Sequence, residues 1–118
     1  MLKIAVVGSR TIEKIDLGHI LPAKCSEIIS GGARGVDSCA SNFAKENNIE
    51  LKIFLPEYSI YGKSAPILRN RRIVDYADKV IIIWDGNSKG TKSVIDYCIK
   101  KHKDHEIILI NNNFVNNT

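Results

Sequence analysis

The stretch at residues 29–40 reads ISGGARGVDSCA and joins an apolar run to the start of a helical pattern. Glycine has no Cβ, so Gly31, Gly32 and Gly35 let the backbone turn sharply and lie close to a neighbouring group. The backbone N–H groups at the start of a helix attract anions, because the helix dipole is positive there. Two interpretations therefore stay open for this segment: a tight strand-to-helix turn, or a cradle for phosphate.

Five short runs of apolar, largely β-branched residues recur along the chain. They lie at residues 3–7, 27–29, 50–55, 79–84 and 106–110. Near-continuous apolar runs of this length are typical of strands that are buried on both faces of a parallel sheet. We predict one strand at each run.

Helical patterns lie between these strands. Apolar residues recur at helical spacing over residues 36–44, so a helix is predicted there. A second helix is expected over residues 64–76, with Ser64 as its N-cap, and a third from Thr91 onward. Residues 11–24 should hold the first crossover, although a glycine and a proline shorten any helix in that segment.

This alternation predicts an α/β protein. We expect a single Rossmann-like, doubly wound domain with a mainly parallel five-stranded sheet in the order 3-2-1-4-5, flanked by helices. We assign residues 1–111 to this domain and residues 112–118 to a frayed polar tail. In this strand order, a ligand site is expected beyond the carboxyl ends of strands 1 and 4, where the topology switches.

Composition narrows the class of protein. The chain has 118 residues, of which 44% are hydrophobic and 25% are charged, as in one soluble domain. No apolar run reaches the roughly 18 residues of a membrane span, and the apolar N-terminal run is too short for a signal peptide. The three cysteines form no C-x-x-C pair, which indicates reduced thiols and a cytoplasmic location. The net charge of +4 favours an anionic partner, although a lysine-rich surface explains it equally well.

Six of the eight glycines fall in the turns after strands 1, 2 and 4. Because the carboxyl ends of parallel strands meet at one edge of a sheet, we expect these three turns to lie together. In the turn DGNSKGTKS the glycine spacing is four rather than five, and Thr91 stands where a P-loop has its lysine, so this is not a P-loop. Ser88 and Thr91 still offer hydroxyl groups at a helix start, for phosphate or for plain capping. No GxGxxG follows the first strand, and we predict neither a cofactor nor a metal site.

Charged and aromatic side chains add candidates around these turns. Arg69 and Arg72 share one face of the predicted second helix, and a planar guanidinium suits phosphate or carboxylate, although a solvated basic face is the commoner meaning. Asp37 either stabilises a helix start or binds a ribose hydroxyl. Trp84 and Tyr61 are candidates for stacking on a base, although a tryptophan that ends a buried strand usually belongs to the core.

Four motifs together resemble those of the SLOG superfamily. GSR follows the first strand, SGGARGVD the second, RNRRIVDYAD precedes the fourth strand and WDGNSKGT follows it. The chain is most similar to the small YspA/YpsA-related proteins, and the likeness extends over nearly the whole chain. The DNA-processing protein DprA and the LOG phosphoribohydrolases belong to the same superfamily. The resemblance implies a Rossmann-like domain that binds nucleotides, nucleotide derivatives or nucleic acid, and a homodimer or higher homo-oligomer, since members often pair.

The resemblance also implies a set of residues that bind the ligand and its phosphate. They come from the three turns, from the helix starts that follow these turns and from the predicted second helix. They are Gly8, Ser9, Arg10, Ser30, Gly31, Gly32, Arg34, Gly35, Asp37, Arg69, Asn70, Asp85, Gly86, Ser88, Gly90 and Thr91. LOG enzymes carry PGGxGTxxE, whose glutamate assists cleavage of the glycosidic bond. The glutamate position is Val94 in this chain, so LOG-type catalysis is not expected from the motif. Asp37 and Asp85 are the remaining candidates for a catalytic carboxylate.

Three functions stay open at this point. We favour binding or sensing of a phosphorylated nucleotide or nucleotide-derived small molecule at the carboxyl edge of the sheet. The second is a nucleoside-monophosphate glycosidase that uses Asp37 or Asp85 as an acid or base. The third is binding of single-stranded nucleic acid as in DprA, which the small number of predicted exposed aromatic residues disfavours. No membrane partner is expected.

Overall fold

The structure, a computed structural model, describes residues 2–110 and contains one five-stranded, all-parallel sheet. The strands are β1 (Leu2–Gly8), β2 (Cys25–Ser30), β3 (Glu50–Ile53), β4 (Lys79–Trp84) and β5 (His105–Leu109). Their order across the sheet is β3-β2-β1-β4-β5. The predicted fold class and strand order are therefore confirmed, whereas the predicted polar tail lies outside the described residues.

Residues 2–110 form four α-helices, all of which lie after β2. They are α1 (Val36–Glu46), α2 (Tyr58–Tyr61), α3 (Ala65–Tyr76) and α4 (Lys89–Lys101). Helix α1 packs on one face of the sheet, and α3 and α4 pack side by side on the other. None of the helices in residues 2–110 has the length and apolarity that a bilayer crossing requires.

Both faces of the sheet carry an apolar core, which explains the near-continuous apolar runs in the sequence. Ile4 and Val6 of β1 face α1 and are fully buried there. Ala5 and Val7, which alternate with them, face α3 and α4. Burial of apolar side chains on both sides of the central strands is the main stabilising contribution to this fold.

Three local predictions agree with the structure only in part. Residues 11–24 contain no α-helix, only a 3-10 turn at Leu17–His19, where the Asp16 carboxylate accepts a hydrogen bond from the Gly18 amide. Ser64 precedes α3 but its side chain does not cap the helix, because its backbone is already helical and continues a 3-10 turn. Helix α4 begins at Lys89, two residues before the expected Thr91. The four-residue helix α2 carried no recognisable signal.

The start of α1 depends on Gly35. Its φ of 76° lies in the region that favours glycine, and a Cβ added there would lie 2.6 Å from Cα and from O of Arg10. Gly35 therefore lets the turn after β2 lie directly against the backbone of the turn after β1.

We expect Gly35→Ala to lower the free energy of unfolding by about 1–3 kcal/mol, because the methyl group meets backbone atoms in a strained conformation. Gly90→Ala is the matched control. Gly90 is helical with open space around its Cβ position. The change to alanine should therefore leave the free energy of unfolding the same or raise it by up to about 1 kcal/mol. Urea denaturation of both variants measures the difference, and equal stabilities would contradict this account of the turn.

Candidate functional site

The turns that follow β1, β2 and β4 enclose one cleft with the first half of α3. The cleft has a volume of about 330 Å³ and lies at the carboxyl edge of the sheet. Nine of the sixteen residues selected from the sequence line it: Gly8, Ser9, Arg10, Asp37, Arg69, Asn70, Ser88, Gly90 and Thr91. The three glycine-rich turns, which the sequence predicts at one edge of the sheet, meet at that edge.

Ser9 connects the first turn to the other two. Only 1% of its surface is exposed, its amide donates to O of Ile83, and its Oγ accepts from the amide of Asp85, both at 3.0 Å. Its carbonyl oxygen accepts from the amide of Val36 at the start of α1. Ser9 thus fixes the positions of the turns after β2 and β4 relative to β1.

Asp85 organises the turn after β4. Its Oδ1 accepts from the amides of Asn87 and Ser88, both at 2.8 Å, and its Oδ2 accepts from the hydroxyl of Thr11 at 2.7 Å. The Ser88 hydroxyl bonds to the same carboxylate. Burial acts to raise the pKa of Asp85, but these hydrogen bonds together hold that pKa well below its usual value. A carboxylate held ionised in this way is a scaffold for the turn and is poorly suited to act as a general acid.

Arg69 lies below the cleft, with 7% of its surface exposed. Its Nη1 donates to O of Gly31 at 2.6 Å and to O of Phe54 at 3.4 Å, and its Nε donates to Oδ1 of Asn70 at 2.7 Å. Burial lowers the pKa of Arg69 while the charge of Asp37 raises it, yet an arginine remains charged at neutral pH. The guanidinium therefore brings a buried positive charge to the cleft wall.

Asp37, in the first turn of α1, is the buried carboxylate of the cleft. It is 7% exposed, and its Oδ2 accepts from the amide of Ala33 at 3.1 Å. Burial raises the pKa of Asp37, against the lowering by the Ala33 N–H and by the charges of Arg69 and Arg10. Within residues 2–110, Asp37 and Arg69 form no direct ion pair.

The start of α4 opens into the same cleft. Thr91 is 6% exposed and lines the cleft, and its hydroxyl has no hydrogen-bond partner among the described residues. The first amides of any helix have no acceptor within the helix, so the first turn of α4 presents free N–H donors. Arg10, in the turn after β1, is exposed and lines the cleft, and its side chain makes neither a hydrogen bond nor an ion pair within residues 2–110.

Seven of the selected residues lie outside the walls of the cleft: Ser30, Gly31, Gly32, Arg34, Gly35, Asp85 and Gly86. Several of them support the residues that do line it. The buried Ser30 hydroxyl donates to O of Asp37 at 3.4 Å, and Gly31 leaves the space that Arg69 occupies, since a Cβ there would lie 2.7 Å from Nη1. Arg34 is exposed.

Other side chains differ from the expectations. Trp84 packs against the core, donates from Nε1 to O of Ser88 at 3.1 Å and does not line the cleft. Tyr61 is exposed, outside the cleft. Arg72 forms an ion pair with Glu57.

Five lining residues were not selected from the sequence: Val7, Thr11, Ala33, Pro66 and Val94. Thr11 directly follows the GSR motif and Ala33 lies within SGGARGVD, so their positions in the sequence could have identified them. The apolar residues and Pro66 carry no chemical signal that separates a cleft wall from a core. Val94, which the motif resemblance aligns with the glutamate of LOG enzymes, also lines the cleft.

Within residues 2–110, no three His, Cys, Asp or Glu side chains cluster in a way that would hold a metal ion. Comparison of the chain with models of known protein families, with curated proteins and with solved structures returns no match.

We predict that Asp85→Asn lowers the free energy of unfolding by about 2 kcal/mol at pH 7, since hydrogen bonds to a charged acceptor contribute about 1.5–3 kcal/mol. Because the pKa of Asp85 is depressed in the folded state, this stabilisation is complete above the unfolded pKa of about 4 and is lost as the pH falls below it. Urea denaturation at pH 7, 5 and 3 should show that the free energies of unfolding of the wild type and of Asp85→Asn converge as the pH falls. Asp96→Asn, at an exposed ion pair with Lys92, should change stability by less than about 1 kcal/mol. A pH-independent gap for Asp85→Asn would contradict the assignment.

Asp37→Asn should behave in the opposite way. Because burial raises the pKa of Asp37, its favourable contribution is present below the unfolded pKa and is lost as the pH rises through the folded value. Asparagine keeps an acceptor for the Ala33 amide and removes the buried charge. The variant should therefore unfold at the same or a higher temperature than the wild type at pH 7, with no advantage at pH 3. A clear loss of stability at pH 7 would show that the charge itself stabilises the fold.

Proposed function

We propose that this protein binds a phosphorylated nucleotide, or a small molecule derived from one, in the cleft at the carboxyl edge of the sheet. The observation that carries the proposal is the meeting of the start of α4 with a buried arginine, Arg69, and a free one, Arg10, in one cleft. The Asp37 carboxylate offsets part of the Arg69 charge without a direct ion pair, and Arg10 adds a second positive charge, so the net positive charge of the cleft favours an anionic ligand.

A phosphate group suits the α4 side of this cleft. The free amides of the first helical turn and the unpartnered Thr91 hydroxyl donate hydrogen bonds, and the helix dipole adds to the attraction. Arg10 supplies a guanidinium that no other group in residues 2–110 engages, and its fork matches the geometry of phosphate oxygens.

A sugar suits the other side. Asp37 presents a buried carboxylate that accepts hydrogen bonds, as acidic residues do from ribose hydroxyls in Rossmann-like domains. The volume of about 330 Å³ lies at the small end of the range for ligand pockets, which fits a mononucleotide better than a long ligand. The resemblance of the four sequence motifs to those of the SLOG superfamily points to the same ligand class.

The glycosidase alternative depends on Asp37 alone. Glycosidic cleavage ordinarily uses two carboxylates, and Asp85 is committed to the turn while Val94 is apolar. Binding without turnover is therefore the better-supported function. Release of free base from nucleoside monophosphates, followed over hours, would instead favour an enzyme. An affinity for oligonucleotides that falls steeply with salt would favour nucleic acid as the partner.

Arg10→Ala and Arg34→Ala form a matched pair, since both arginines are exposed but only Arg10 lines the cleft. We expect Arg10→Ala to weaken binding of nucleoside monophosphates by about 10- to 100-fold, because one charge-assisted contact is worth about 1.5–3 kcal/mol. Arg34→Ala should leave the affinity within about threefold of the wild type. Isothermal titration calorimetry with the four common monophosphates measures both. Equal effects of the two variants would refute the cleft as the phosphate site.

A further inference from the structure

A second cavity, which the proposed function does not use, lies in the groove between α3 and α4. Its volume is about 220 Å³. Asn70 and Val94 line both this groove and the cleft, so the two spaces adjoin at these residues. A ligand held at the start of α4 thus lies about one side chain away from the groove.

Asn70 is held rigidly at the junction. Its Oδ1 accepts from Nε of the buried Arg69 at 2.7 Å, which fixes the orientation of the side-chain amide. The amide nitrogen then has no acceptor among the residues that the structure describes. It is a donor placed where an extended ligand would cross from one space to the other.

The groove itself has the chemistry of an anion site beside an aromatic wall. Tyr97 forms the wall, and its hydroxyl donates to the Asp75 carboxylate at 2.9 Å, which holds the ring in place. The Arg71 guanidinium lies 5.6 Å from the centre of that ring and, like Lys100, lines the groove. The carboxylate in the groove, Asp96, already pairs with Lys92 at 2.6 Å, so the groove keeps an excess of positive charge.

We infer that the ligand of the cleft carries a second anionic group, which lies in the α3–α4 groove against Arg71 and Lys100. This inference rests on the proposed function and narrows the substrate class. The ligand is then a nucleotide with a second phosphate, either directly on its ribose or linking it to a second nucleoside whose base lies along Tyr97. Asn70 donates a hydrogen bond to the segment that joins the two halves.

The test compares nucleoside 5′-monophosphates with the matching 3′,5′-bisphosphates and with 5′-phosphorylated dinucleotides, by calorimetry on the full chain. The wild type should bind at least one of the longer probes about 10-fold more tightly than the monophosphate. If the bisphosphate binds more tightly than the monophosphate, the groove holds the second phosphate alone. If only the dinucleotide binds more tightly, the groove holds a phosphate followed by a nucleoside.

Two matched variants separate the groove from general charge effects. Arg71 and Lys101 each lie 5.6 Å from the ring centre of Tyr97, but only Arg71 lines the groove. Arg71→Ala should abolish the gain and leave monophosphate binding unchanged, whereas Lys101→Ala should keep the gain. Ser93→Trp, which fills the groove from α4, should abolish the gain as well.

The outcomes that overturn the inference are distinct from failure of the proposed function. Monophosphate binding without any gain for the longer probes overturns the inference alone. Equal losses in Arg71→Ala and Lys101→Ala overturn it too, because the gain would then reflect general charge. Absence of binding by every probe overturns the proposed function and the inference together.

Discussion

Parallel pairing of β1 with β2 on one side and with β4 on the other is the constraint on which the rest of the structure depends. The register places Ala5 beside Ile29 and Gly8 beside Ile83, so the three strands end close together. Because all three run in the same direction, the turns that follow them must emerge at the same edge. The buried Ser9 then connects these turns through its backbone and its hydroxyl, and a cleft forms between them.

This arrangement brings charged groups out of water. Arg69 and Asp37 are both buried, and their pKa values move in the directions that desolvation dictates. Arg69 donates from Nη1 to the carbonyl oxygens of Gly31 and Phe54, and the Asp37 carboxylate offsets part of its charge without a direct ion pair. Arg10 adds a second positive charge to the same cleft, so an anion bound there would balance the charge that Asp37 leaves over. The proposed function and the electrostatics of the cleft therefore have a common origin.

The candidate site was only partly accessible to reasoning from the sequence. Arg10, Arg34 and Arg69 look alike there, but the structure gives them three different environments: free in the cleft wall, exposed outside it, and buried beneath it. Asp37 and Asp85 were equal candidates for a catalytic carboxylate. The hydrogen bonds from Thr11, Asn87 and Ser88 to Asp85 assign it to the turn and leave Asp37 facing the cleft. The groove beside Tyr97 carried no signal at all, since it exists only where two helices pack.

The sequence by itself determined the fold class, the strand order and the edge of the sheet where polar turns gather. Those properties follow from apolar periodicity and from the direction of parallel strands, which are local features of the chain. Only the tertiary structure decided the irregular path of residues 11–24, the burial of Arg69 and the use of the Asp85 carboxylate as a scaffold for its turn. Each of these depends on which distant group lies within hydrogen-bond distance, as when Arg69 reaches Gly31 across 38 positions of sequence. Local sequence does not encode such distances, because they are set by packing of the whole sheet.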